Sequence, residues 1–198
     1  MRKKTATRQK TNKLSLMYTM THMNLLHDID PGTKESINVI IEIPKESHNK
    51  YEIDKKTGLI KLDRANYSSA AYPFDYGFIP QTLWDDGDAL DVIVLTTYPL
   101  NVGILVPARP VSILNMTDNG DEDAKIIAVP VDDKRWDDVQ DLKDINKHTL
   151  KEFAHFFETY KNLKDESTKV VIHGYKGRAE AEAAFERARK MYAAKSGK

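Results

Sequence analysis

No cysteine occurs anywhere in the 198 residues, which excludes a disulfide framework, a thiolate metal site and a cysteine nucleophile. Long apolar runs are missing too. None approaches the roughly 20 residues that a bilayer-spanning helix needs, because Pro, Asp or Lys interrupts each candidate, so no membrane crossing is expected. Glycine is sparse, at 9 residues, and neither a G-x-x-x-x-G-K-[ST] loop nor a G-x-S-x-G elbow is present. Nucleotide-loop and serine-hydrolase chemistry therefore lack support. Net charge is absent as well, with 30 basic residues against 30 acidic. That balance conceals an asymmetry. Residues 1–22 hold six basic residues (Arg2, Lys3, Lys4, Arg8, Lys10 and Lys13) and no acid, which leaves residues 23–198 at −6. An acidic body argues against general nucleic-acid binding.

What remains is ordinary globular composition, 40% hydrophobic and 30% charged, in a chain long enough for one substantial core. Residues 1–22 are expected to form a disordered basic tail, with Met17, Met20 and Met23 as alternative starts, and residues 23–198 a single domain. No apolar segment of the secretory kind stands near the start. A cytoplasmic protein is expected.

Ser36–Pro44 reads S-I-N-V-I-I-E-I-P, rich in β-branched residues and closed by proline, which predicts a strand. Further strands are expected at Lys50–Asp54, Leu59–Arg64, Tyr76–Pro80, Asp91–Thr96, Ile104–Leu114 and Lys125–Val131. The turns between them are signalled by Thr57-Gly58, Asp86-Gly87 and Asn119-Gly120. Most pairings should be antiparallel. The period then changes, since Leu150, Phe153, Ala154 and Phe157 follow a helical stripe over about residues 149–164. After one more strand, at Thr168–His173, a second stripe runs through Ala181, Ala184, Phe185, Ala188, Met191 and Tyr192. Strands first and helices last imply an α+β, mainly β domain, a small barrel or curled sheet with flanking helices.

The sharpest local feature is Asp85-Asp86-Gly87-Asp88-Ala89-Leu90-Asp91, at the mouth of an expected strand. Most Asp/Gly clusters are merely solvated turns. Carboxylates this dense also suit a hard cation, which would relieve their repulsion. A calcium loop of the EF-hand kind is rejected, because Leu90 stands where the fifth ligand belongs. Mg²⁺ with open water positions fits better. A second acidic turn spans Met116–Lys125 and carries Asp118, Asp121, Glu122 and Asp123, while Glu42 interrupts an apolar strand. A buried carboxylate of that kind needs a partner. Lys50, Arg64, Lys125 and Lys161 adjoin these elements, with Tyr72, Tyr76 and Tyr160 near them. Acids for metal together with lysines, an arginine and phenols are what a small phosphate ester or anhydride requires.

The ordered motifs resemble the soluble family I inorganic pyrophosphatases, of the short-chain prokaryotic type. The match runs through I-E-I-P (41–44), K-Y-E-I-D (50–54), D-R (63–64), Y-P-x-x-Y-G-x-I-P (72–80), D-G-D-x-L-D-V (86–92), M-T-D (116–118), D-A-K (123–125) and H-F-F-E-x-Y-K (155–161). The resemblance implies a five-stranded OB-like closed barrel with flanking α-helices. It also implies several Mg²⁺ ions per active site, pyrophosphate as substrate and a homo-oligomer, a hexamer by analogy. By the same resemblance the metal carboxylates are Asp86, Asp91, Asp118 and Asp123, with Glu42 and Glu52 as an outer acidic group. Asp88 is the acid that deprotonates the attacking water. Lys50, Arg64, Tyr72, Tyr76, Lys125, Tyr160 and Lys161 bind substrate. Three positions depart from the family pattern: Ala89 within D-x-D-x-x-D, Asp75 beside Tyr76, and Asp85 beside Asp86. These departures are expected to bear on metal preference and pH optimum. The implied reaction is direct in-line attack on pyrophosphate by metal-activated water, with no covalent intermediate. The main rival is an oligonucleotide-binding module, since such barrels often bind single strands. An acid-lined groove would repel that ligand.

Overall fold

The computed structural model of the chain describes residues 23–164 and 169–197. The basic segment 1–22 and Thr168, the first residue of an expected strand, lie outside them. Strand β1, Ile37–Ile43, buries every side chain except the half-buried Asn38. Alternation along the strand sends its side chains to different surroundings. Ile37, Val39 and Ile41 join one core, Ile40 packs with Leu26 and Phe78 in another, and Glu42 opens on a cleft. A bulge between Ile41 and Ile43 in the pairing with β4 breaks the alternation, so Ile43 enters a third cluster.

The remaining strands are β2 (Asn49–Ile53), β3 (Ile60–Ala65), β4 (Asp75–Phe78), β5 (Asp91–Val94), β6 (Leu105–Asp118), β7 (Asp121–Glu122), β8 (Lys125–Pro130) and β9 (Val170–Lys176). Five of them close on one another, β1 with β4, β4 with β5, β5 with β8, β8 with β6, and β6 back to β1. The strand ring is therefore complete. β9 extends the sheet on β6, and β2 with β3 forms a separate hairpin. The expected antiparallel pairing holds except between β5 and β8, which run parallel with Asp91 opposite Lys125. β6 continues past Leu114, where the expected strand stopped, through Met116-Thr117-Asp118. Its pairings are interrupted by irregularities between Pro110 and Ser112 and between Asn115 and Met116. The first absorbs a proline that a regular ladder would refuse.

β5 and β8 are buried on both faces, which is why they read as continuous apolar runs. Val92, Val94, Ile126 and Ala128 share a core cluster with Ala181, Ala184, Phe185 and Ala188 of helix α2 (Arg178–Ser196). On the other side Ile93, Ile127 and Val129 share a cluster with helix α1, Lys147–Thr159. Asn146 caps α1 by accepting from the His148 amide. The buried stripe of α1 is Phe153, Phe156 and Phe157, with Tyr160 just beyond, so Phe156 replaces the expected Ala154. The stripe turned because Phe156 packs on Tyr72, ring centroids 4.8 Å apart, and on Tyr160 at 4.9 Å. Gly77 in β4 has no substitute, since a Cβ there would lie 1.9 Å from the Ile40 carbonyl oxygen.

Asp75, one of the three departures from the family pattern, is a structural tie. It is completely buried and accepts from the Lys45 amide (3.0 Å), the Leu100 amide (2.9 Å) and the Thr96 hydroxyl, joining three stretches of chain around β4. Asp75→Ala leaves these donors without an acceptor and is expected to cost about 2–4 kcal/mol. Urea denaturation reads this directly. A midpoint equal to the parent's would mean that water replaces the carboxylate without loss.

Candidate active site

The first acidic loop is wound tightly by its own backbone. The Trp84 amide donates to the Asp88 carbonyl (2.7 Å), the Gly87 amide to the Trp84 carbonyl (3.0 Å), and the Asp88 amide to Asp86 Oδ1 (2.9 Å). Gly87 takes φ +86° with open space around it, the left-handed turn that Asp-Gly signals. Asp85 faces away from the cleft and grips Arg187 of α2 with both oxygens, at 2.6 and 2.9 Å, while that guanidinium lies over Trp84. The extra acid therefore anchors the loop and adds no charge to the cleft. The second acidic turn pivots on Asn119 and Gly120, both at positive φ. It brings Asp118 at the end of β6 and Asp123 before β8 to the same rim, with the Asp123 amide donating to the Met116 carbonyl (3.0 Å).

These turns, β1, the β2–β3 hairpin and the end of α1 enclose a cleft of about 250 Å³. Thirteen of the fourteen expected site residues line it: Glu42, Lys50, Glu52, Tyr72, Tyr76, Asp86, Asp88, Asp91, Asp118, Asp123, Lys125, Tyr160 and Lys161. Arg64 does not. It stands opposite Lys50 in the hairpin register, is held by Asp63, and lies 5.4 Å from the Tyr67 ring centre. Ala89 also lines the cleft, as does Lys55, which was not among the expected residues. The Lys55 signal was weak, one more lysine in a polar turn directly after K-Y-E-I-D.

At the deepest point Lys125 Nζ lies 2.8 Å from Asp91 Oδ2 and 2.6 Å from Asp123 Oδ1, and the Tyr76 hydroxyl donates to Asp91. Burial alone would lower the Lys125 pKa, but Asp91 and Asp123 outweigh it and hold the ammonium above its ordinary range. Burial raises Asp91, since one ammonium shared between two acids cannot neutralise both. Asp86 is pushed up to about 6, chiefly by burial and then by Asp91, Asp123 and Asp88. Burial, with the charge of Asp91 behind it, raises Glu42 to about 8, although the Ile53 amide donates to it (2.6 Å). Tyr160 is raised to about 12 by burial, so its phenol keeps its proton.

Oxygen-only donors in this number suit a hard cation, and Asp118 Oδ1 is a buried acceptor with no partner. Among the described residues no three carboxylates form a ready-made cage. Lysines stand on them instead: Lys125 on Asp91 and Asp123, Lys161 on Asp118, Lys50 on Glu52. Mg²⁺ keeps several waters and takes only one or two carboxylates from a protein, so the residues fit it.

Residues 39–193 match the family described as inorganic pyrophosphatase. The chain belongs to that family. An inorganic pyrophosphatase of Geobacillus stearothermophilus is 49% identical over 134 residues, 68% of this chain and 81% of its own. The soluble inorganic pyrophosphatase 1 of Arabidopsis thaliana is 43% identical over 169 residues, 84% of this chain and 79% of its own. The crystal structure of the Thermus thermophilus inorganic pyrophosphatase superposes with a TM-score of 0.82 at 42% identity, covering 86% of this chain and 99% of that one. The family I resemblance read from the motifs thus holds across the domain, and membership implies pyrophosphate hydrolysis.

The raised Glu42 fixes a sign for the pyrophosphatase without metal. A carboxyl whose folded pKa of about 8 exceeds its ordinary 4.5 stabilises the fold fully below pH 4.5, and that contribution disappears as pH rises towards 8. In chelator, the melting temperature is expected to fall across this window, and Glu42→Gln to flatten the fall. Parallel curves for the two proteins would place the titration elsewhere.

Proposed function

We propose that this pyrophosphatase hydrolyses pyrophosphate by in-line attack of an activated water, without a covalent intermediate, and that Mg²⁺ is its metal. One observation carries the reading: carboxylates, lysines and phenols from widely separated segments line a single cleft. Asp86, Asp91, Asp118 and Asp123 would hold several Mg²⁺ ions between them, with Glu42 and Glu52 behind them. When bound, Mg²⁺ supplies charge neutralisation and a water of lowered pKa. Asp88, half-exposed at the rim, accepts the proton from the attacking water. Lys50, Lys125 and Lys161 hold phosphate oxygens, and Tyr72, Tyr76 and Tyr160 keep their protons to donate to them. Arg64, one cross-strand step from Lys50, would leave Asp63 to reach the leaving phosphate. Positioning and electrostatics then supply most of the rate.

The same reading makes the strand ring an OB-like closed barrel with flanking helices. Residues 23–198 form its one domain, and residues 1–22 are dispensable to it. It makes the protein a cytoplasmic homo-oligomer, a hexamer, with no nucleic-acid partner. Exposed Tyr98, Val102, Ile104 and Leu105 support self-association, and the acids of the cleft oppose strand binding. A chain starting at Met23 is expected to match the full chain in melting temperature and turnover. A marked loss in either would give the tail a role.

Phosphate release from pyrophosphate, with and without Mg²⁺, tests the reaction itself. Release that ignores the metal would overturn the mechanism. Asp88→Asn removes the base and is expected to lower kcat about 10²–10⁴-fold at every Mg²⁺ concentration. Asp91→Asn should instead weaken Mg²⁺ affinity and recover in part with excess metal. Full rescue of Asp88→Asn by metal would make Asp88 an ordinary ligand.

A further inference from the structure

Lys55 follows β2 in a turn that is fixed without it. Asp54 accepts from the Thr57 amide (3.2 Å) and hydroxyl (2.6 Å), and its carbonyl accepts from the Gly58 amide (2.7 Å). From this rigid base the Lys55 side chain crosses the mouth of the cleft, pairs with the Asp88 carboxylate and lies 3.5 Å from the Gly87 carbonyl oxygen. Its exposure, 62%, contrasts with 4% for Lys125, 16% for Lys161 and 22% for Lys50. An ion pair this open contributes little to stability. The Lys55 ammonium is thus the outermost positive charge of the cleft, loosely held on the carboxylate proposed as the base.

Resting on the function proposed above, we propose that Lys55 is a further substrate-binding residue, which leaves Asp88 for a phosphate oxygen of the entering anion. A polyanion approaching the acidic rim of Asp86 and Asp88 meets this lysine first, and opposite charge at an entrance steers such ligands. Phosphate offers the ammonium more charge than a single carboxylate does. Its departure leaves Asp88 free to accept the proton of the water, so substrate entry and readiness of the base are one event.

The test compares Lys55→Met with Lys56→Met, since Lys56 is exposed in the same turn and makes no ion pair among the described residues. Lys55→Met is expected to raise KM for pyrophosphate about tenfold, the loss of one charge-assisted hydrogen bond. Calorimetry with Mg²⁺ alone, no anion present, should show severalfold tighter binding, because a competing cation has gone from the rim. Lys56→Met should change neither, and Lys55→Arg should restore KM. Unchanged KM together with unchanged Mg²⁺ affinity overturns the proposal. So does a lowered melting temperature with KM at the parent's value, which would make the ion pair purely structural. Failure of the parent chain to hydrolyse pyrophosphate would instead defeat the proposed function, and the Mg²⁺ titration would still decide whether Lys55 competes for the rim.

Discussion

Lys125 carries a full charge with only 4% of its side chain exposed, among groups that would be costly to bury alone. Its ammonium is held by Asp91 from β5 and Asp123 from the turn before β8, and it lies 5.4 and 5.5 Å from the ring centres of Tyr76 and Phe157. The parallel register that sets Asp91 beside Lys125 is therefore both a sheet contact and the floor of the cleft. Ring closure, the seating of α1 and the depth of the acidic site all meet at this one nitrogen.

Around it the molecule separates an apolar wall from a charged one. Tyr72, Phe74, Tyr76, Phe153, Phe156, Phe157 and Tyr160 pack edge-on and stacked between β4 and α1, giving the site a dry back. Charges facing such a wall interact more strongly than charges in water. The acidic loop opposite is held rigid by backbone turns and by the Asp85–Arg187 fork. The hairpin carrying Lys50, Glu52 and Lys55 belongs to a separate two-stranded sheet.

Much of this was legible in the sequence because the signals were local. β-branched runs gave the strands, the Phe stripe the helix, and the D-G-D-x-L-D and M-T-D clusters the rims. The parallel partnership of β5 and β8 was not, since two doubly buried strands show no alternation that would reveal their neighbours. The partners of Asp75 and Asp85 were hidden for a related reason. A carboxylate's chemistry is visible in the sequence but its direction is not, and both turned to backbone amides or to a distant arginine. Ala154 and Phe156 both fit a helical stripe, and the position of Tyr72 decides between them. Arg64 matched its motif yet does not line the cleft, held back by the neighbouring Asp63.

Closing the strand ring joins residues 37–40 of β1 to 105–108 of β6, and β6 in turn to β8. A ribosome releasing this chain from its first residue exposes β1 long before either seam partner exists. The β1–β4 and β4–β5 pairings can form early, but the Lys125 floor cannot be laid until β8 has emerged. Such long-range closure is slow compared with local pairing. During that interval the apolar edge of β1 is open to other chains, so the nascent protein is most prone to aggregate before Lys125 has been synthesised.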